Sequence, residues 1–294
     1  MFSGTGTAVV TPFKSGKVDY ESFERFLNFQ INGGVDFLVV LGTTGEAPAV
    51  TAKEREEIVR FVVKTVEGRV PVVVGTGSNS TEAAIELSNQ ALSLGVDGVL
   101  VVTPYYNKPP QEGLYQHYRT IASRINKGRL IIYNVPGRTG VNILPETVLR
   151  LAEIENIVGI KEASGDEAQV DYLIRKMQKQ RPNFFILSGN DDQAFHLVNA
   201  GGDGVISVLS NVAPRETSTM IRFALDGEIG KARELHLRLF PLMKGLFCET
   251  NPIPVKYGVS RLGYCENELR LPLIPASSKA MAVVDEALKE SGIY

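Results

Sequence analysis

The feature that most constrains this chain is a repeat of pattern rather than of sequence. Short β-branched, apolar runs alternate with amphipathic stretches about every 25–35 residues. The runs lie at 4–13 (GTGTAVVTPF), 35–42 (VDFLVVLG), 70–77 (VPVVVGTG), 97–106 (DGVLVVTPYY), 129–136 (RLIIYNVP), 157–165 (IVGIKEASG), 184–191 (FFILSGND) and 204–211 (GVISVLSN). They are continuously apolar rather than alternating, the pattern of parallel strands covered on both faces. The stretches between them carry helix signals. Thr51 and Glu54 have capping-box spacing ahead of EREEIVRFVVKTVEG, and Gly68 follows as a stop. Asn79 and Glu82 predict a similar start for the next helix, closed by Gly95, and Pro145 fits a first helical turn. Strand and helix alternating eight times predict an α/β fold, a (β/α)8 TIM barrel. The alternative is an open doubly wound sheet. That sheet usually carries a glycine-rich dinucleotide fingerprint after its first strand, and here the first strand runs into TPFKSG.

The barrel is expected over residues 1–225, with a C-terminal helical appendage over 226–294 packed on it. Helical patterns there fall at 230–247, 252–263 and 276–290, with no flexible linker before them. A net charge of −2 without a basic block gives no sign of a nucleic-acid or anionic-membrane partner. The first residues, MFSGTGTAVV, lack a charged n-region and a long apolar stretch, so neither a signal peptide nor a membrane span is expected. Cys248 and Cys265 fall in no CxxC or Cys/His spacing; they read as ordinary core thiols in a cytoplasmic protein. His117, His196 and His236 fall in helical stretches without metal-ligand spacing, and no metal is expected. The glycine-rich NAGGDG at 199–204 precedes the eighth strand, whereas a barrel phosphate site would follow the seventh or eighth.

In such a barrel the chemistry sits at the C-terminal strand ends. Lys161 interrupts an apolar strand. By alternation it shares a face with Ile157, Gly159 and Ala163, and the small residues leave room around it if that face points inward. A desolvated lysine has a lowered pKa and a nucleophilic neutral fraction, the requirement for a Schiff base. The structural alternative is pairing with Glu162 or snorkelling at the strand end. Tyr133 alternates with Ile131 and Val135; it is either a proton relay beside such a lysine or a core tyrosine. Thr43 and Thr44, in GTTGE, either hold a small carboxylate or serve a turn. Arg138, in GRTG, is either a bidentate carboxylate clamp or a solvated loop residue.

Five motifs now stand in order at expected strand ends: GTTGE (42–46), TPYYN (103–107), YNVPGRTG (133–140), GIKEASG (159–165) and LSGND (187–191). In these the chain resembles the dihydrodipicolinate synthase (4-hydroxy-tetrahydrodipicolinate synthase) family over nearly its whole length. The resemblance implies a pyruvate-dependent class I aldolase of lysine and diaminopimelate biosynthesis, with no cofactor. It matches Lys161 to the Schiff-base lysine and Tyr133 to the proton donor and acceptor. It matches Thr43 and Tyr106 to the proton relay, Tyr106 reaching into a neighbouring subunit. Thr44 and the Ile206 backbone match pyruvate contacts, Arg138 the clamp on the second substrate's carboxylate, and Gly189 a backbone position near the lysine. The implied substrates are pyruvate and L-aspartate 4-semialdehyde, and the implied assembly is a homotetramer of tight dimers.

Lysine-inhibited bacterial members line an effector site with histidines and a glutamate. The counterparts here are Ala52, Arg55 and Ala83, with Asn79 retained, which implies weak or absent feedback by lysine. N-acetylneuraminate lyase and keto-sugar-acid aldolases share the lysine and tyrosine but need a sugar-binding surface where this chain has GRTG. The remaining alternative is a barrel that binds an oxo-acid without turning it over.

Overall fold

In the computed structural model, which describes residues 2–125 and 128–294, each of the eight apolar runs contains a strand. These are β1 (Gly4–Ala8), β2 (Phe37–Val40), β3 (Val72–Gly75), β4 (Gly98–Val102), β5 (Arg129–Asn134), β6 (Ile157–Glu162), β7 (Phe185–Ser188) and β8 (Gly204–Ser207). All neighbours pair in parallel, and β8 pairs back onto β1 through Thr5↔Val205 and Gly6↔Ile206, closing the barrel. The strands stop short of the runs that announced them. The surplus residues, such as Thr103–Asn107 after β4, leave the ladder and build the loops at its C-terminal rim. One such surplus adds an element not anticipated, a small antiparallel hairpin pairing Phe13 with Val18 and Lys14 with Lys17.

Helices follow the strands: α1 (Tyr20–Asn32), α2 (Ala52–Val66), α3 (Thr81–Ser93), α4 (Gln111–Arg124), α5 (Pro145–Leu151), α6 (Glu167–Gln180), α7 (Asp191–Asn199) and α8 (Pro214–Leu225). The capping box of α2 forms as its spacing predicts, Thr51 accepting from the Glu54 N–H and Glu54 from that of Thr51. At α3 the cap is Ser80 rather than Asn79. The helix starts at Thr81, and the Ser80 hydroxyl accepts from the Ala83 N–H. Asn79 instead gives its carbonyl to Asn107 Nδ2 at 2.9 Å, and Glu82 pairs with Arg124.

Alternation along the strands separates two apolar layers. Phe37 and Val39 of β2, with Ile131 and Tyr133 of β5, point into the barrel, while Leu38, Val40, Leu130 and Ile132 pack against the helices. β6 breaks this rule at its start. The register slips between Leu130↔Ile157 and Ile131↔Gly159, so Ile157 joins the outer layer and Val158 packs on the inner one. Ile157 therefore does not share the inward face with Gly159 and Lys161. Phe2 plugs the N-terminal end of the barrel, edge-on to Phe37 and Phe185. The opposite end stays open.

Beyond Leu225 come α9 (Ile229–Gly245), α10 (Ile253–Arg261) and α11 (Ser278–Glu290). α9 lies along α7 and α8, and α11 lies on α9 and α10. The chain between α9 and α10 crosses the open end of the barrel, where Phe247 and Asn251 reach the cavity beneath. The expected barrel span of 1–225 takes in Met1 and residues 126–127, which lie outside the described residues. Both cysteines are free thiols, but only Cys265 is buried. Cys248 is exposed, because it follows the last turn of α9 where the chain leaves the packed face. Among the described residues no helix is long and apolar enough to cross a membrane.

Candidate active site

Tyr133 and Lys161 stand opposite each other in the β5–β6 ladder, both on the inward face and both at the C-terminal end. The Lys161 ammonium lies 4.5 Å from the centre of the Tyr133 ring. Lys161 is 5% exposed, and among the described residues no carboxylate comes within salt-bridge distance of it. The neighbouring Glu162 does not pair with it, since successive strand residues face opposite ways. Glu162 accepts from both Asn134 Nδ2 (3.0 Å) and the Ser164 N–H (2.6 Å) on the outer side. Burial pushes the Lys161 pKa from 10.5 down to about 8; the Asp191 charge opposes that shift and Arg138 adds to it. A sizeable neutral fraction is therefore present near neutrality.

Asp191 was not singled out in the sequence, although it closes LSGND. It is buried at the start of α7 and accepts from Ser207 Oγ at 2.5 Å and from the Val208 and Leu209 N–H groups at 2.9 Å. Those bonds fix its charge and tie the β7 and β8 ends together. Burial raises its pKa, and the three donors with Lys161 resist the rise. Burial also raises the Tyr133 pKa, with Arg138 and a hydrogen bond to Thr43 acting the other way.

One cavity of about 70 Å³ gathers these groups under the open end of the barrel. Its wall includes Lys161, Tyr133, Thr43, Thr44, Arg138 and Gly189, six of the side chains and turns the sequence singled out. The volume suits a ligand of a few heavy atoms rather than one water. A Cβ at Gly189 would stand 2.9 Å from Lys161 Cε and 2.7 Å from the Ala163 Cβ, so this position admits only glycine beside the lysine. Ala163 lines the cavity, but Gly159 does not. A Cβ at Gly159 would strike the Phe185 carbonyl at 2.7 Å, so Gly159 makes room for strand β7 rather than for a ligand.

Two expected residues lie off this wall. Ile206 is fully buried in the inner layer, and Val208 takes the place on the cavity surface above it. Tyr106 has a left-handed backbone (φ 72°), is 89% exposed and takes no part in its own chain's cavity wall. Among the lining residues missed in the sequence, Phe247 and Asn251 come from beyond the barrel. Neither sits at a strand end, so the rule that found the others could not reach them. A larger cavity of about 170 Å³ between α6 and α7 is lined by Glu162, Glu167 and Asp171 but holds neither lysine nor tyrosine.

The family model described as "Dihydrodipicolinate synthetase family" matches residues 1–291. This chain belongs to that family. The 4-hydroxy-tetrahydrodipicolinate synthase of Kosmotoga olearia is 64% identical over 293 residues, covering 100% of this chain and 99% of the relative. The crystal structure of the dihydrodipicolinate synthase of Thermotoga maritima superposes with a TM-score of 0.98 at 54% identity, each chain covered in full (100% and 100%). That of the chloride-inhibited Acinetobacter baumannii enzyme, complexed with pyruvate, gives 0.96 at 42% identity, again with 100% of each chain covered. The family's barrel is thus the barrel seen here, and the dihydrodipicolinate synthetase fold accounts for the chain from end to end.

Proposed function

We propose that this protein is a 4-hydroxy-tetrahydrodipicolinate synthase that condenses pyruvate with L-aspartate 4-semialdehyde through a Schiff base on Lys161. The observation that carries the reading is the state of that lysine: buried, without a contacting carboxylate among the described residues, its pKa lowered to about 8, and beside Tyr133 on the wall of a small cavity. The neutral amine attacks C2 of pyruvate, and the oxygen of the resulting carbinolamine leaves as water with a proton relayed by Tyr133. Loss of a C3 proton turns the iminium into an enamine. The enamine carbon adds to the aldehyde carbon of the second substrate, whose oxygen takes up a proton. The substrate's own amine then attacks C2, closes the ring and releases Lys161 as the free amine.

Thr43 joins Tyr133 in the proton relay, a role supported by their shared place on the cavity wall. Thr44 and the Ile206 backbone hold the pyruvate carboxylate, and Arg138 clamps that of the semialdehyde, with Gly189 leaving the lysine room to swing. Tyr106 completes the relay in a neighbouring subunit of a homotetramer, a role that suits its exposure and left-handed backbone. The reading includes a cytoplasmic location, to which the free thiols of Cys248 and Cys265 are suited. It also includes weak or absent feedback by lysine: Arg55 donates to the carbonyls of Ala47 and Gly75 and is not free to line an effector site.

Borohydride reduction in the presence of pyruvate, followed by peptide mass mapping, tests the mechanism. A reduced pyruvyl adduct on Lys161 is expected; no adduct, or one on another lysine, overturns it. Faster cleavage of sugar acids than condensation of the semialdehyde would overturn the substrate assignment.

A further inference from the structure

Asn251 reaches the cavity from the segment between α9 and α10 and touches two carboxylate-binding side chains at once. Its Nδ2 donates to Thr44 Oγ1 at 3.1 Å, and its backbone carbonyl accepts from Arg138 Nη2 at 3.1 Å. The side chain is 5% exposed, yet among the described residues no donor reaches its Oδ1. A buried acceptor left unpaired loses its hydration with nothing in return. In a site wall, such a group is completed by a ligand that brings a donor.

The proposed reaction says which donor. Pyruvate and its enamine carry no N–H apart from the one on Lys161 itself. The semialdehyde carries an amino group on the carbon next to the carboxylate that Arg138 holds. The Asn251 backbone carbonyl holds the Arg138 guanidinium, and both residues line the same cavity, so the unpaired amide oxygen belongs to the wall that receives that end of the substrate. We propose that Asn251 recognises the α-amino group of the second substrate, its buried Oδ1 accepting from the substrate N–H while Arg138, held by the Asn251 carbonyl, takes the carboxylate. The inference rests on the function proposed above and sharpens it: the site selects α-amino aldehydes over aldehydes that carry only the acid. It also places the amine that later displaces Lys161, since an acceptor on its N–H side orients its lone pair.

The experiment compares L-aspartate 4-semialdehyde as substrate with succinate semialdehyde, which lacks the amino group, as competitive inhibitor. Both are measured on the full-length enzyme in the wild type, Asn251→Leu and Asn251→Asp. Leucine keeps the volume and removes the acceptor; aspartate keeps side-chain oxygens there. Asn251→Leu should raise KM for the aminated aldehyde by about tenfold or more while changing Ki for succinate semialdehyde within about twofold, as expected when a hydrogen-bonding site loses its partner. Asn251→Asp should retain the preference for the aminated aldehyde. Equal loss for both aldehydes would assign Asn251 to packing or to support of Arg138, and an unchanged ratio would assign its oxygen to a water; either result overturns the proposal. The borohydride adduct is measured on each variant in parallel. Its failure in the wild type defeats the function, whereas an intact adduct with an unchanged ratio defeats only the role of Asn251.

Discussion

Lys161 and Lys256 are both sealed from bulk water, 5% and 0% exposed, and the molecule treats them in opposite ways. The Lys256 ammonium is in contact with Glu46 Oε1 and lies 4.3 Å from the centre of the Phe13 ring. The other Glu46 oxygen accepts from the Arg270 N–H at 3.0 Å. This cluster ties the GTTGE loop to the C-terminal helices and takes no part in the wall of the Lys161 cavity. Lys161 has no carboxylate within salt-bridge distance among the described residues, and it lines a cavity. Burial lowers the pKa of both lysines. A depressed pKa therefore does not tell a nucleophile from a structural cation here. Pairing and room do: an amine locked on a carboxylate has neither a free lone pair nor space for a carbonyl.

The sharpest way to break this comparison is to remove each amine. Lys161→Met should lose activity by about 10⁴-fold or more, as when a covalent catalyst is deleted. It should also melt no lower than the wild type. In the folded chain Lys161 holds its proton less tightly than when unfolded, so the unfolded state binds more protons between pH 8 and 10.5 and stability rises with pH across that window. The lysine's cost is full below pH 8, about 3 kcal/mol, and released toward 10.5. The Tm gain of Lys161→Met should accordingly be larger at pH 7 than at pH 10, and thermal melts at both values check it.

Lys256→Met should behave the other way, losing about 3–5 kcal/mol because Glu46 is left buried without its partner. Adding Glu46→Leu should recover most of that loss in denaturant titrations; if the double variant stays as unstable as the single one, the pair is not what holds the loop. Next in size is Gly189→Ala, whose Cβ presses on Lys161 Cε at 2.9 Å. It should lower kcat/KM for pyruvate by about 10²-fold, the scale of a displaced reacting group. Gly159→Val, by contrast, should show its damage in stability, through Phe185 on β7. The smallest effect is the pH profile. In the wild type kcat/KM for pyruvate should rise about tenfold per pH unit and level off near pH 8 as Lys161 loses its proton. A plateau reached already at pH 6 would mean a neutral amine at lower pH than this environment gives.

Much of the site was legible because barrel chemistry collects at strand ends, and strand ends are marked by the change from apolar runs to glycine, threonine and tyrosine. Lys161, Tyr133, Thr43, Thr44 and Arg138 were picked out that way and Gly189 through the family resemblance, and the structure places all six on one cavity wall. The misses share a cause. Asn251 and Phe247 arrive from the chain between two helices packed onto the barrel, so nothing in their own neighbourhood marks them. Asp191 sits within a motif already noted, but its weight comes from three donors on β8 and the loop after it. The inward face of β6 was misjudged at Ile157 because a register slip against β5 depends on both strands.

The sequence by itself determined the closed barrel, the order of its strands and the end at which chemistry occurs, because burial on both faces and helix capping are written in short-range patterns. The tertiary structure alone decided which buried lysine is paired with a carboxylate and which lines a cavity, and that Asn251 reaches that cavity. The energy of a buried charge or amide depends on partners brought from far along the chain. Among the described residues Glu46 meets Lys256 and no carboxylate comes within salt-bridge distance of Lys161, and no local pattern around either lysine records that difference.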